Sequence, residues 1–179
     1  MSSVTMSPGT MADDATVGTV AWSNPDNAKV SDNVYATATG AVGNYDTHYL
    51  EATNFGFSIP SEATINGIVV EFEQKASIAS TVFYSSCRIV KGGSIGLTGT
   101  GGAYLTLTEA YLSMGSPSDL WGESWTPSDI NDLGFGTALH INTGGDNTAY
   151  VDHIRITVYY TGPTMTGVQS ITGVGSITL

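Results

Sequence analysis

The stretch Ala149-Tyr150-Val151-Asp152-His153-Ile154-Arg155-Ile156-Thr157-Val158-Tyr159-Tyr160 decides the fold. Ile154, Ile156, Val158 and Tyr160 alternate with His153, Arg155, Thr157 and Tyr159. A period of two sends the aliphatic set to one face of a strand and the polar set to the other. β-Branched and aromatic residues fill the stretch, and neither Gly nor Pro interrupts it. It reads as a central core strand that closes a β-sandwich beginning near residue 16. Ile68, Val70 and Phe72 alternate with Val69, Glu71 and Glu73 in the same way, giving a second strand with one wet face.

Working outward, further strands are expected over Val17–Trp22, Val34–Thr39, Tyr49–Phe57, Val82–Lys91 and Phe135–Ile141, with an edge strand in Ala103–Tyr111. Asn24-Pro25-Asp26-Asn27 signals a turn, and Asn66-Gly67 a turn or bulge. Gly92–Gly102 holds six glycines in eleven residues and reads as a loop or irregular hairpin. Thr126-Pro127-Ser128-Asp129 is an N-cap, a first-turn proline and a box-forming acid, so one short helix is expected over Pro127–Asp132. The expected class is all-β: an antiparallel, jelly-roll-like β-sandwich over residues 16–161. Residues 1–15 read as a flexible or docking N-terminal arm. Residues 162–179 read as a C-terminal arm with a TGVxSI repeat, Thr166–Ile171 and Thr172–Ile177. Its Val168, Ile171, Val174, Ile177 and Leu179 would bind a partner chain by strand addition.

Charge narrows the partners. Five Lys and Arg stand against sixteen Asp and Glu, for a formal net charge of -11 in 179 residues. No basic patch is available for a phosphate backbone or an anionic membrane, so neither is an expected partner. Cys87 is the only cysteine and reads as a small buried hydrophobe. No apolar run approaches the ~18 residues of a membrane helix, and the N-terminus lacks the basic and apolar regions of a secretory signal.

No catalytic residue, cofactor motif or metal motif emerges, and the chain is expected not to be an enzyme. Gly92-Gly93-Ser94-Ile95-Gly96 matches G-x-S-x-G, but the glycines after it cannot open the helix a nucleophile elbow needs. His48, His140 and His153 are far apart in sequence. Asp152 and His153 are neighbours, and successive strand residues point to opposite faces, so the two are not expected to form a local acid–base pair. Asp119, Glu123, Asp129, Asp132 and Asp146 fall near loops, where capping and solvation account for them better than calcium. Trp22, Trp121 and Trp125 fit packing better than a sugar platform. Glu71 and Glu73 share a strand face and read as solvated.

Three motifs in the first half stand out: Trp22-x-Asn24-Pro25-x-Asn27-Ala28, Ser31-Asp32-x-x-Tyr35-Ala36 and Asn54-Phe55-Gly56-Phe57-x-Ile59-Pro60-x-x-Ala63-x-Ile65-x-Gly67-Ile68. Leu120-Trp121-Gly122-x-x-Trp125-Thr126-Pro127-x-Asp129-Ile130-Asn131, Phe135-Gly136 and Ala149–Tyr160 complete the set. Together they resemble a β-sandwich domain of tailed-bacteriophage virion structural proteins. The resemblance covers roughly residues 20–161. It implies a non-enzymatic virion protein, first of all a capsid decoration or cement protein, assembled in a host cytoplasm. Its expected partners are the major capsid protein or another virion protein, and copies of itself in a homotrimer. A tail or fibre component, or a secreted carbohydrate-binding or adhesin module, is the alternative; the last needs exposed Trp residues.

Overall fold

The computed structural model describes residues 1–43 and 45–163. The C-terminal arm residues Val168, Ile171, Val174, Ile177 and Leu179 lie outside the described residues. Ten strands are present: β1 (Ser2–Met6), β2 (Thr10–Asp14), β3 (Ala36–Thr39), β4 (Tyr49–Thr53), β5 (Thr64–Ala76), β6 (Phe83–Lys91), β7 (Ser94–Thr100), β8 (Ala110–Gly115), β9 (Gly136–Asn142) and β10 (Thr148–Thr161). One five-stranded sheet runs β1-β10-β5-β8, with β3 also paired to β10; the other runs β2-β4-β9-β6-β7. Among the described residues these strands pair antiparallel throughout. From β3 onward the chain wraps both sheets, placing β3, β5, β8 and β10 in the first and β4, β6, β7 and β9 in the second. This is the double-sheet jelly-roll arrangement.

The alternation that predicts β10 also builds the core. Ala149, Val151, Ile154, Ile156 and Val158 are fully buried, facing the second sheet's Leu139, Ile141, Cys87 and Ile89. Each such side chain contributes about 1.5–3 kcal/mol on leaving water. Phe72 of β5 meets Tyr84 of β6 edge-on at 5.9 Å between ring centroids, joining the two layers. Asn66-Gly67 is a bulge: Tyr159 pairs with Gly67 and Tyr160 with Ile65, leaving Asn66 over.

Three local expectations are corrected. Residues 1–15 are not an arm: β1 adds to β10 with Val4 opposite Val158, and β2 adds to β4. Pro8 is buried at the crossing between the sheets, and the Gly9 amide donates to the Asn54 carbonyl at 2.9 Å. The Ser and Thr content masked two short strands whose partners are distant in sequence. Val17–Trp22 forms no strand, only an isolated bridge from Val20 to Thr47. Gly92–Gly102 forms the irregular hairpin that was one of its two expected readings: the Gly92-Gly93 turn, with φ of 55° and 75°, folds β7 back onto β6 with a register shift between Arg88 and Val90. Residues 103–109 form no strand and instead cross between the sheets: Leu105 donates to the Val82 carbonyl at 2.8 Å, and Thr106 accepts from the Ala76 amide at 2.7 Å.

The expected helix is α1 (Pro127–Asn131), one residue shorter at its end. Its capping box is complete: the Asp129 amide donates to Thr126 Oγ1 at 3.1 Å, and the Thr126 amide donates to Asp129 Oδ2 at 2.8 Å. It is not the sole helix. The Asn24–Asn27 turn continues as a 3-10 helix over Pro25–Ala28, entered through Asn24 at φ 52°.

Candidate functional site

Two neighbouring features stand out, and the 105–110 segment separates them. The first is the outer face of the β5–β10–β8 layer. Cross-strand register sets it in rows: Arg155 beside Glu71 beside Ser113, then His153 beside Glu73 beside Tyr111. β10 carries a bulge here, since Val151 pairs with Gln74 and His153 with Glu73, so Asp152 is extra. Val151 and Ile154 both face the core, which leaves Asp152 and His153 on the same outer side. The expectation that these two point oppositely is therefore corrected; it holds only for a regular strand.

Glu71 and Glu73, expected to be solvated, are both half-buried, because the chain after the 3-10 helix folds over the Asp152 end of this face, while Ser113 stays exposed. Lys29 bridges to His153, and the Asp32 and Asn33 amides donate to the Asp152 carboxylate at 3.4 and 3.1 Å. Asp152 is 0% exposed. Burial raises its pKa, partly offset by those two amides, with Glu109 and Glu73 adding to the rise. Arg155 grips Glu71 through two hydrogen bonds of 2.8 and 3.1 Å and lies 4.0 Å from the Tyr111 ring centroid. The Arg155 hydrogen bonds hold the Glu71 carboxyl below its ordinary value. Both His153 nitrogens are engaged, Nε2 with Ser7 Oγ and Nδ1 with the Tyr111 hydroxyl, each at 2.8 Å.

Deeper in the face, one carboxylate oxygen each of Glu73, Glu109 and Asp152 lie within 4.8 Å of one another. Lys75 approaches Glu109 at 3.3 Å and the Tyr35 hydroxyl at 2.6 Å, and Tyr35 also donates to Glu109. Glu73 Oε2 is sealed from water and has no hydrogen-bond partner. These three acids are the described residues placed to hold a metal. The five loop acids weighed in the sequence lie elsewhere, and three of them make the local hydrogen bonds expected of capping residues. Asp129 caps α1, Asp132 accepts from the Gly134 amide at 2.7 Å, and Asp119 accepts from the Trp121 amide at 2.7 Å.

The second feature is an open cleft of about 550 Å³ at the adjoining end of the sandwich, between the β5–β6 turn and residues 104–110. Tyr104 forms one wall, 57% exposed, its ring held edge-on against Phe83 at 5.8 Å. Ser80, Thr106 and Thr108 bring hydroxyls to the lining, and Leu107 brings an exposed apolar side chain. Thr106 is fixed from behind by Gln74, which donates to its Oγ1 and accepts from its amide, both at 3.3 Å. Residue 109 lies between two lining residues, so Glu109 connects the cleft wall to the acidic cluster.

The tryptophans belong to the core, as packing predicts. Trp22 and Trp121 are buried, with indole N–H groups donating to the His48 and Ile68 carbonyls at 3.0 Å each. Trp125 is partly buried and packs on Phe135 at 5.4 Å. An exposed Trp platform is absent among the described residues. Ser94 opens β7 on a hairpin turn in one sheet, while His153 is in the other sheet. Cys87 is fully buried, and burial pushes its thiol up to about 12.

His140, on β9, gives a pH prediction. Burial lowers its pKa, against the attraction of Asp46 and with the repulsion of Arg88. The unfolded chain therefore holds more protons just below the ordinary value of 6.5. The contribution is full above that value and is lost as pH falls through the folded pKa. Between pH 7.5 and 5.5, His140→Gln should lose less of its urea midpoint than the native protein does.

No family model matches the chain, and no curated protein matches it. Similar solved structures include a CBM4 module at 12% identity, covering 86% of this chain and 92% of that one, with a TM-score of 0.41. The second N-terminal cellulose-binding domain of Cellulomonas fimi β-1,4-glucanase C is 14% identical over 87% and 95%, with a TM-score of 0.42. The CBM22-1 xylan-binding domain of Paenibacillus barcinonensis Xyn10C is 11% identical over 89% and 95%, with a TM-score of 0.39. At these scores the likeness carries no argument about what this chain binds.

Proposed function

We propose that the protein is a non-catalytic binding module whose cleft takes a neutral carbohydrate. The cleft beside Tyr104 carries this reading. An exposed aromatic face accepts the C–H face of a sugar ring, and flanking hydroxyls pair with its polar edge. Tyr104 supplies the face, and Ser80 and Thr108 supply hydroxyl-bearing side chains, while the Thr106 hydroxyl is committed to the Thr108 carbonyl at 2.6 Å. The net charge of -11 favours neutral over acidic glycans. The test is affinity electrophoresis of the native chain through gels containing xylan, mixed-linkage β-glucan or mannan. At least one should retard it, and Tyr104→Ala should lose ~tenfold or more of that affinity with its thermal midpoint preserved. Equal mobility in all gels overturns the proposal.

A second reading rests on the sequence motifs across roughly residues 20–161. It is a structural component of a tailed-phage virion, a decoration protein first, with the 162–179 arm attaching to the capsid protein or to another copy. Removing residues 164–179 should then leave the sandwich folded and weaken oligomerisation or particle attachment. Equal mass by light scattering and equal co-sedimentation with particles would refute the role of the arm.

A further inference from the structure

β5 carries one residue that breaks its own pattern. Ile68, Val70, Phe72, Gln74 and Ala76 form its buried series, and Gln74 is the polar member, only 2% exposed. A buried amide is costly unless its polar ends are bonded. Both ends of Gln74 go to a single residue: Nε2 donates to Thr106 Oγ1, and Oε1 accepts from the Thr106 amide, each at 3.3 Å. The next two residues of β5 hold the same crossing segment. The Ala76 amide donates to the Thr106 carbonyl at 2.7 Å, and Lys75, on the opposite face, pairs with Glu109 at 3.3 Å. Thr106 in turn donates its hydroxyl to the Thr108 carbonyl at 2.6 Å, which fixes the chain between two lining residues. A core position of β5 is thus given to a side chain whose partner lies in the cleft wall.

We propose that Gln74 is a positioning residue for the carbohydrate site: through Thr106 it holds residues 106–108 of the cleft wall in the shape that receives a sugar beside Tyr104. The proposal rests on the carbohydrate reading of the cleft. An apolar side chain of the same length fills the same space without an amide to satisfy, so core packing alone does not call for Gln here. Thr106 is exposed, and water can serve its amide and hydroxyl once Gln74 is gone. What water does not supply is a fixed geometry. Residues 105–108 belong to no strand or helix, and their shape comes from these few bonds. Leu105 stays anchored to Val82, so the loosening is local to the residues that follow it. A wall that the ligand itself must order binds more weakly by the cost of that ordering.

The test compares the full native chain with Gln74→Met, which keeps the length of the side chain and removes both polar ends. Thermal midpoint, amide hydrogen exchange and migration through the glycan gel that retards the native chain are measured together. The midpoint should stay at or above the native value. The Thr106 amide should exchange faster, and glycan affinity should fall by about fivefold or more. A residue that only supports the fold would leave affinity native wherever the variant is folded. Should Gln74→Met fail to fold, Thr106→Val breaks the same link from the exposed side and should show the same loss of affinity. The Thr106 hydroxyl is committed to Thr108, so that loss reports position and not a missing ligand contact. Native affinity in the folded variant, or unchanged exchange at Thr106 in Gln74→Met, overturns this proposal and leaves the carbohydrate reading standing. No retardation of the native chain by any glycan overturns both.

Discussion

Ile156→Asp is expected to abolish the folded state at ordinary temperature. Ile156 is 0% exposed, opposite Val70 on β5 and Met6 on β1. Its neighbours facing the core are aliphatic, and no described cation is placed to pair with a carboxylate there. The substitution both removes the packed butyl group and buries a charge, so the cost should reach about 4–5 kcal/mol or more. A single domain has about 5–15 kcal/mol in hand. Urea denaturation at neutral pH should show a midpoint near zero or no cooperative transition. Raising the proton concentration should recover part of the loss, because a protonated Asp is easier to bury. A soluble variant with a native midpoint would refute the placement of β10 in the core.

The second large effect is expected from Gly136→Ala. Gly136 opens β9 opposite Thr53 on β4, and a Cβ there would stand 1.9 Å from the Ala52 carbonyl oxygen. That oxygen is backbone in a paired strand, so it cannot rotate aside as a side chain would. Either β4 and β9 separate locally or the backbone distorts, and the cost should be about 3 kcal/mol. Gly162→Ala is the control, since none of the described residues lies within 4 Å of its added carbon. Equal thermal midpoints for the two variants would contradict the close approach of β4 to β9.

The ease of reading differed sharply between elements. β5 and β10 were legible because half-buried strands alternate, and α1 because its cap is written within four residues. The Asn66 bulge carried a glycine to mark it. The bulge at Asp152 carried no such mark, because its residues need no unusual φ, and with it the acidic cluster went unseen. That cluster joins residues 73, 109 and 152, which only the sheet register brings together. β1 and β2 were hidden for the same reason. Five-residue strands reading Ser-Ser-Val-Thr-Met and Thr-Met-Ala-Asp-Asp have weak local preferences and take their structure from their neighbours. The cleft depends on a crossing segment whose backbone partners, Val82 and Ala76, lie more than twenty residues earlier.

The place of β1 sets the order in which the molecule can be made. Ser2 pairs with Tyr160, and Met6 with Ile156. The earliest of the described strands in chain order thus has its partner in the latest. During synthesis β1 must wait, unpaired, while the whole jelly roll is translated. The central β10 must also be inserted before the first sheet is complete. Few native contacts in that sheet can form early, so folding should be slow and largely post-translational, as for other β-proteins dominated by distant pairings. A nascent chain halted before residue 148 would present β5 with an open flank, the state in which this protein is most exposed to chaperones and to misassembly with its own copies.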